Sequence, residues 1–356
     1  VYPLPGQAEG SISVALGYGR RNSGNVGDGA GFDAYPLRTT EAMSWATVQI
    51  ERAEGRYDLA TTQDHHAIDA LGARARAERA TLLVRELDVE VFHEDPHAVQ
   101  EFQHAIPPVE LWPPKQYTGH KWGMAIDLNA CIGCNACTVA CQSENNIPVV
   151  GEQEVINGRE LHWIRVDRYF SGETADPAVV CQPVACQHCE DAPGEQVCPV
   201  AATMHDKEGL NVMVYNRCIG TRYCANNCPF KVRRFNYFNN AKDQTALQAM
   251  AKNPEVTVRS RGVMEKCTFC VQRISNAKIR AKNERRPLSD GEITPACAQV
   301  CPTRAITFGD LNDPSSRVAR HHADHRSYAM LEETQIKPRT RYLARLRNRV
   351  SGDGDG

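Results

Sequence analysis

The sequence predicts an α+β protein with clustered cysteines and a β-rich segment ahead of them. Three observations carry this expectation. All 15 cysteines of the 356-residue chain fall between Cys131 and Cys301. Residues 1–40 are rich in glycine with short β-like runs such as Ser11-Ile12-Ser13-Val14, which read as strands and turns. The long gap between Cys270 and Cys297 carries a Lys/Arg-rich stretch that reads as a helix ending at Pro287.

Composition narrows the function classes. The length allows two or three domains. A net charge of −2 gives no global attraction to nucleic acid or to an acidic substrate. No uninterrupted apolar stretch is long enough to span a bilayer. The chain begins at Val1 in the middle of what reads as folded sequence, so a fragment or processed product is expected.

The cysteines form four groups. The first is Cys131, Cys134, Cys137 and Cys141, in Cys-x2-Cys-x2-Cys-x3-Cys spacing. The second is Cys186, Cys189 and Cys198-Pro199; the third is Cys218, Cys224 and Cys228-Pro229. The fourth is Cys267, Cys270, Cys297 and Cys301-Pro302. Stapling disulfides are usually scattered, and zinc ribbons use two Cys pairs per metal. The first group instead has the spacing of bacterial two-cluster ferredoxins, and the Cys-Pro endings complete that signature. Three close cysteines wrap three irons of a cubane, and the fourth reaches a neighbouring cluster. The proline suits the first helical position, where no backbone N–H is needed.

Two stretches, HKWGMAIDLNACIGCNACTVACQSENNIPVV and NRCIGTRYCANNCPFKVRRFNYF, resemble the four-cluster ferredoxin subunit of the molybdopterin oxidoreductase family. The wording is most similar to the iron–sulfur B subunit of alternative complex III, a quinol-oxidising respiratory complex. In that subunit a molybdopterin-type domain without molybdenum precedes the cluster domain. LPGQAEGSISVALGYGR and ATTQDHHAID resemble the end of that domain, and SYAMLEETQIKPRTRYLARLRN resembles the subunit's own end.

The resemblance implies an organisation and a ligand pattern. Residues 1–106 would be the β-rich end of the molybdopterin-type domain and 107–120 a linker containing Pro107 and Pro114. Residues 121–311 would be two bis-cluster ferredoxin-like modules, an inner one (181–261) inserted in an outer one (121–180 plus 262–311). Residues 312–356 would be a docking tail. Cys131, Cys134, Cys137 and Cys301 would hold one [4Fe–4S] cluster, and Cys267, Cys270, Cys297 and Cys141 a second. The inner module would use Cys186, Cys189 and Cys228 for one cluster, and Cys198, Cys218 and Cys224 for another.

Two departures from the pattern matter. Thr221 stands at a ligand position of the third group, and a hydroxyl is a poor iron ligand beside thiolates. The expected product is a [3Fe–4S] cluster, whose lower ligand charge is one lever on potential; the bland alternative is a loop-capping threonine. Gly194 stands where the pattern puts a third cysteine of the second group. That site takes either a second three-iron cluster or Cys181 as substitute ligand, and the competing reading of Cys181 is a buried free thiol. The expected cofactors are two or three [4Fe–4S] and one or two [3Fe–4S] clusters, without molybdenum.

Other features are less specific. Gly17, Gly19, Gly24, Gly27, Gly29 and Gly31 match neither nucleotide-loop spacing, so a turn-rich segment is expected. His65 and His66, and His321, His322 and His325, are weak metal candidates and default to surface polar residues. The cationic run from Phe230 to Phe235 either favours the reduced form of a nearby cluster or is solvent-exposed. Lys337, Arg339, Arg341, Arg345, Arg347 and Arg349 either grip a partner or headgroup or form a solvated tail.

No nucleophile set stands out, so the expected activity is one-electron transfer by a non-catalytic subunit. By resemblance, electrons enter from quinol oxidised in a multispanning membrane subunit, by way of the Cys198, Cys218 and Cys224 site. They leave towards haem c subunits and cytochrome c or a terminal oxidase, at the periplasmic face of the bacterial inner membrane. The rival expectation is the iron–sulfur subunit of a molybdenum-dependent polysulfide, tetrathionate or dimethyl sulfoxide reductase.

Overall fold

The computed structural model describes residues 1–24, 26–62, 80, 82–101 and 113–348. The chain divides into two compact units. One comprises Val1–His65, Val149–Glu160 and Phe170–Ala178; the other comprises His66–Pro148, Leu161–Tyr169 and Val179–Gly356. All fifteen cysteines belong to the second.

The first unit departs from the expected strands. Among described residues 1–62 no strand forms; the regular element there is a single 3-10 turn, Tyr35–Leu37. Ile12 and Val14 are 54% and 55% exposed. A β-like run becomes a strand only when a neighbouring edge takes up its backbone groups, and no described segment pairs with Ser11–Val14. His65, His66 and most of the Pro107–Pro114 stretch lie outside the described residues.

The second unit is a mixed α/β, ferredoxin-like arrangement of small sheets. Its largest sheet has four strands in the order Ser327–Tyr328, Thr340–Leu343, Trp122–Asp127, Ile306–Asp310. Trp122–Asp127 runs antiparallel to Ile306–Asp310, with Met124 opposite Phe308, and parallel to Thr340–Leu343. Segments nearly two hundred residues apart are thereby joined on either side of the cysteine loops. Met124, Ile126, Phe308, Tyr342 and Leu343 are buried; each such side chain contributes about 1.5–3 kcal/mol by leaving water.

Smaller hairpins carry the rest of the loops. Thr203–His205 pairs with Asn211–Met213, and Arg234–Phe235 with Met264–Glu265. The Lys/Arg-rich stretch forms the helix Val271–Asn283. Ile274, Ala277 and Ala281 recur near helical period on its buried face, and the chain leaves the helix before Pro287. An aromatic run links the main sheet to the loops: Trp122 stacks on Phe308 at 5.7 Å, Phe308 meets Phe269 at 5.4 Å, and Phe269 stacks on His188 at 3.9 Å.

The C-terminal residues are built into this unit. Arg339 is 2% exposed and pairs with Glu190 at 2.9 Å; Lys337 pairs with Asp191 and Arg347 with Glu86. The described part of the basic stretch is therefore not a solvated tail. His322 is partly buried, with Nε2 2.9 Å from the Met124 carbonyl.

Candidate metal centres

The four cysteine loops share one backbone device. The residue before the second ligand position is left-handed in each: Gly133 (φ +67°), His188 (+46°), Gly220 (+76°) and Phe269 (+54°). Such a residue in a tight loop can turn successive N–H groups towards one concavity, a geometry suited to anionic clusters. Glycine adopts it freely, whereas an L-residue bears about 1–2 kcal/mol. His188 and Phe269 are the two that bear it, and they stack on one another. The second residue after each Cys-Pro is again left-handed: Ala201, Lys231 and Arg304.

These turns bring distant cysteines together. Cys131, Cys134, Cys137 and Cys301 line one cavity of about 360 Å³. Cys186, Cys189 and Cys228 line another of about 330 Å³, with Gly194 and Arg233 in its wall. Cys198, Cys218, Cys224 and Thr221 line a third of about 300 Å³. Cys141 has Cys267, Cys270 and Cys297 as its electrostatic neighbours. Thr221 and Cys134 occupy equivalent places in matching loops: each follows a left-handed glycine and precedes a left-handed residue, Arg222 or Asn135. Cys181 lies elsewhere. A Cβ added to Gly133 would meet its sulfur at 2.5 Å, and it does not line the cavity walled by Gly194.

Thiol electrostatics distinguish the cysteines of these sites. Burial pushes Cys137 up to about 11 and Cys267 up to about 12, and pushes Cys141, Cys189 and Cys297 well above the ordinary thiol range. The Cys-Pro cysteines Cys198 and Cys301 behave in the opposite sense. Burial opposes their ionisation, but converging hydrogen bonds outweigh it and both are lowered. The Ala202 N–H donates to Cys198 Sγ at 3.2 Å and the Ala305 N–H to Cys301 Sγ at 3.2 Å. Neighbouring sites also sense one another. Cys137 raises Cys297, Cys186 raises Cys267, and Arg233 acts on both Cys189 and Cys224. Cys134 and Thr221 are exposed members of their loops.

The donor set fits iron–sulfur clusters. Sulfurs in threes and fours line concave sites, and N–H groups are aimed at them. Among the described residues no three His, Cys, Asp or Glu side chains form a group suited to a single metal ion. Three contributors were not visible in the motif. Asn145, one helical turn beyond Cys141, donates to Cys141 Sγ at 3.6 Å and lies 3.9 Å from Cys270 Sγ. Lys266, beside Cys267, and His188 are both fully buried. Only the i, i+4 spacing of Cys141 and Asn145 offered a sequence signal.

Fold and cysteine constellation together define a polycluster electron-transfer protein of the ferredoxin-like class. The family described as 4Fe-4S dicluster domain matches residues 178–252. The menaquinone reductase iron-sulfur cluster-binding subunit of Nitratidesulfovibrio vulgaris is 42% identical over 233 residues, 63% of this chain and 89% of that protein. A putative dimethyl sulfoxide reductase iron-sulfur subunit of Halobacterium salinarum is 35% identical, over 62% of this chain and 78% of its own length. The arsenate respiratory reductase iron-sulfur subunit of a Shewanella species is 30% identical, over 62% and 95%. The chain belongs to this family of iron–sulfur electron-transfer subunits of molybdoenzyme-type reductase complexes. Among the described residues no helix is long and apolar enough to cross a membrane.

Proposed function

We propose that the chain is the iron–sulfur relay of a membrane-associated quinol-oxidising complex of the alternative complex III type. Electrons would pass from quinol in a multispanning membrane partner, through this chain, to haem c subunits and cytochrome c or a terminal oxidase on the periplasmic side. The observation that carries the reading is Thr221 at the fourth corner of the Cys198, Cys218 and Cys224 cavity. Residues 1–106 are then the end of a fused molybdopterin-type domain without molybdenum, and 181–261 a module inserted in the outer one.

In this reading Cys131, Cys134, Cys137 and Cys301 hold one four-iron cluster, and Cys141, Cys267, Cys270 and Cys297 a second. Cys198, Cys218 and Cys224 hold a three-iron cluster, and Cys186, Cys189 and Cys228 hold the fourth centre. The clusters supply one-electron oxidation and reduction without bond-making. The chain's residues supply thiolates, N–H donors to sulfur and burial. The left-handed loop residues fix where each sulfur points.

The second reading is the relay subunit of a molybdenum-dependent reductase, favoured by the likeness to subunits of dimethyl sulfoxide and arsenate reductases. Metal analysis of the purified complex, combined with electron paramagnetic resonance (EPR) during a redox titration, separates the two. Iron without molybdenum, with an oxidised-state three-iron signal, supports the first reading. Stoichiometric molybdenum in an associated subunit overturns it in favour of the second.

A further inference from the structure

Two cationic side chains are sealed beside the Cys186, Cys189 and Cys228 cavity, and neither has a carboxylate partner among the described residues. Lys266 is 0% exposed; its Nζ donates to the Cys267 carbonyl at 2.9 Å, and Cys186 is its foremost thiol neighbour electrostatically. Arg233 is 9% exposed and lines the cavity. It donates to Thr203 Oγ1 at 2.9 Å and to Asn211 Oδ1 at 2.8 Å. Its Nη1 is buried without a partner. Nearby acids are engaged elsewhere, Glu265 with Arg259 and Glu195 with His205.

Burying a cation without an anion is strongly unfavourable. The anions on offer here are cysteine thiolates and whatever they bind. Gly194 sharpens the point. A Cβ built there would meet Arg233 Nε at 3.3 Å and Cζ at 3.4 Å. Where the ligand spacing calls for another thiolate, this chain sets a bare Cα against a guanidinium.

We propose that Arg233 and Lys266 are positioning residues that raise the potential of the Cys186, Cys189 and Cys228 centre above that of the adjoining Cys141, Cys267, Cys270 and Cys297 centre. The inference rests on the reading that these cavities hold iron–sulfur clusters. Reduction adds one negative charge to a centre, and a buried cation stabilises that charge in proportion to its proximity and to the low local dielectric. Three thiolates instead of four act in the same direction by lowering the starting negative charge. The effect is asymmetric: Lys266 has both Cys186 and Cys267 as electrostatic neighbours, Cys186 foremost, and Arg233 contributes from the wall of the Cys186 cavity. The junction between the two modules is therefore a potential step favouring the electron on the Cys186 side.

The test is an EPR-monitored redox titration of the purified complex containing the full chain. The signal lost in Cys189→Ala identifies the centre. In Lys266→Met and Arg233→Gln, the reduced-to-oxidised ratio of that signal at fixed ambient potential should fall about tenfold, or about 59 mV for one electron. Lys266→Arg and Arg233→Lys should retain most of the ratio. Lys266→Met preserves side-chain bulk and decides the matter if Arg233→Gln fails to assemble. Unchanged ratios in the neutral variants with clusters intact overturn the inference, as does an equal loss in the charge-keeping variants. Loss of no signal in Cys189→Ala also overturns it. Absence of iron and sulfide from the unaltered complex overturns the cluster reading itself, which is a distinct failure.

Discussion

Arg259 and Glu265 form an ion pair with both side chains fully shut off from water. Arg259 Nη2 donates to Glu265 Oε2 at 2.9 Å, and the same carboxylate accepts Trp163 Nε1 at 3.0 Å and Asn236 Nδ2 at 2.7 Å. Glu265 ends the short strand that leads into Lys266 and Cys267, so this network anchors the entry to a cysteine loop. Glu265→Gln leaves the Arg259 charge buried and uncompensated and is expected to destabilise the fold by about 3–5 kcal/mol. Denaturant unfolding of the two proteins, followed by circular dichroism, measures the difference.

Thr221→Cys supplies a sulfur at the one corner of its cavity that lacks it. The backbone on either side matches that around Cys134, so no rearrangement is required. On the proposed three-iron reading of this site, its oxidised-state EPR signal is expected to disappear and iron per chain to rise. Survival of that signal unchanged would show that Thr221 does not mark the open corner.

Cys181→Ala is expected to leave every cluster signal in place. Its sulfur lies against Gly133, behind the Cys131 loop, and is absent from the wall of the Gly194 cavity. An altered signal from the Cys186, Cys189 and Cys228 centre in the EPR spectrum of this variant would restore Cys181 as a ligand.

His322 adds an acid sensitivity of its own. Burial holds it down to about 4 from an ordinary value of 6.5, against the opposing hydrogen bond to the Met124 carbonyl. Because its folded value is depressed, the unfolded chain binds the proton first as pH falls. The stabilisation is complete above about pH 6.5 and is lost progressively towards pH 4. Relative to His322→Gln, the unaltered protein should lose about 2 kcal/mol between pH 7.5 and pH 5. Paired denaturation curves at the two pH values give this difference directly.

The cysteine groups were legible because ligand spacing is a local constraint imposed by the size of the cluster, and so was the helix between Cys270 and Pro287. The left-handed turns were legible only in part. Gly133 and Gly220 advertise them, but His188, Phe269, Ala201, Lys231 and Arg304 do not, since the surrounding packing compensates a strain their identities conceal. The basic C-terminal run was ambiguous for a different reason. Arg339 finds Glu190 across 149 positions of chain, and no local pattern reports such a partner. Ser11–Val14 has β propensity but no edge to join, a tertiary condition invisible in the segment itself.

The cavity shared by Cys131, Cys134, Cys137 and Cys301 has a consequence for biogenesis. A ribosome releases the first three of these thiols long before the fourth, and the strand Thr340–Leu343 that backs Trp122–Asp127 emerges later still. The segment carrying Cys186 to Cys228, by contrast, is complete within a short span of synthesis. If the cavities hold clusters as proposed, chains cut short of Cys301 should accept iron only at the cysteines from Cys186 to Cys228.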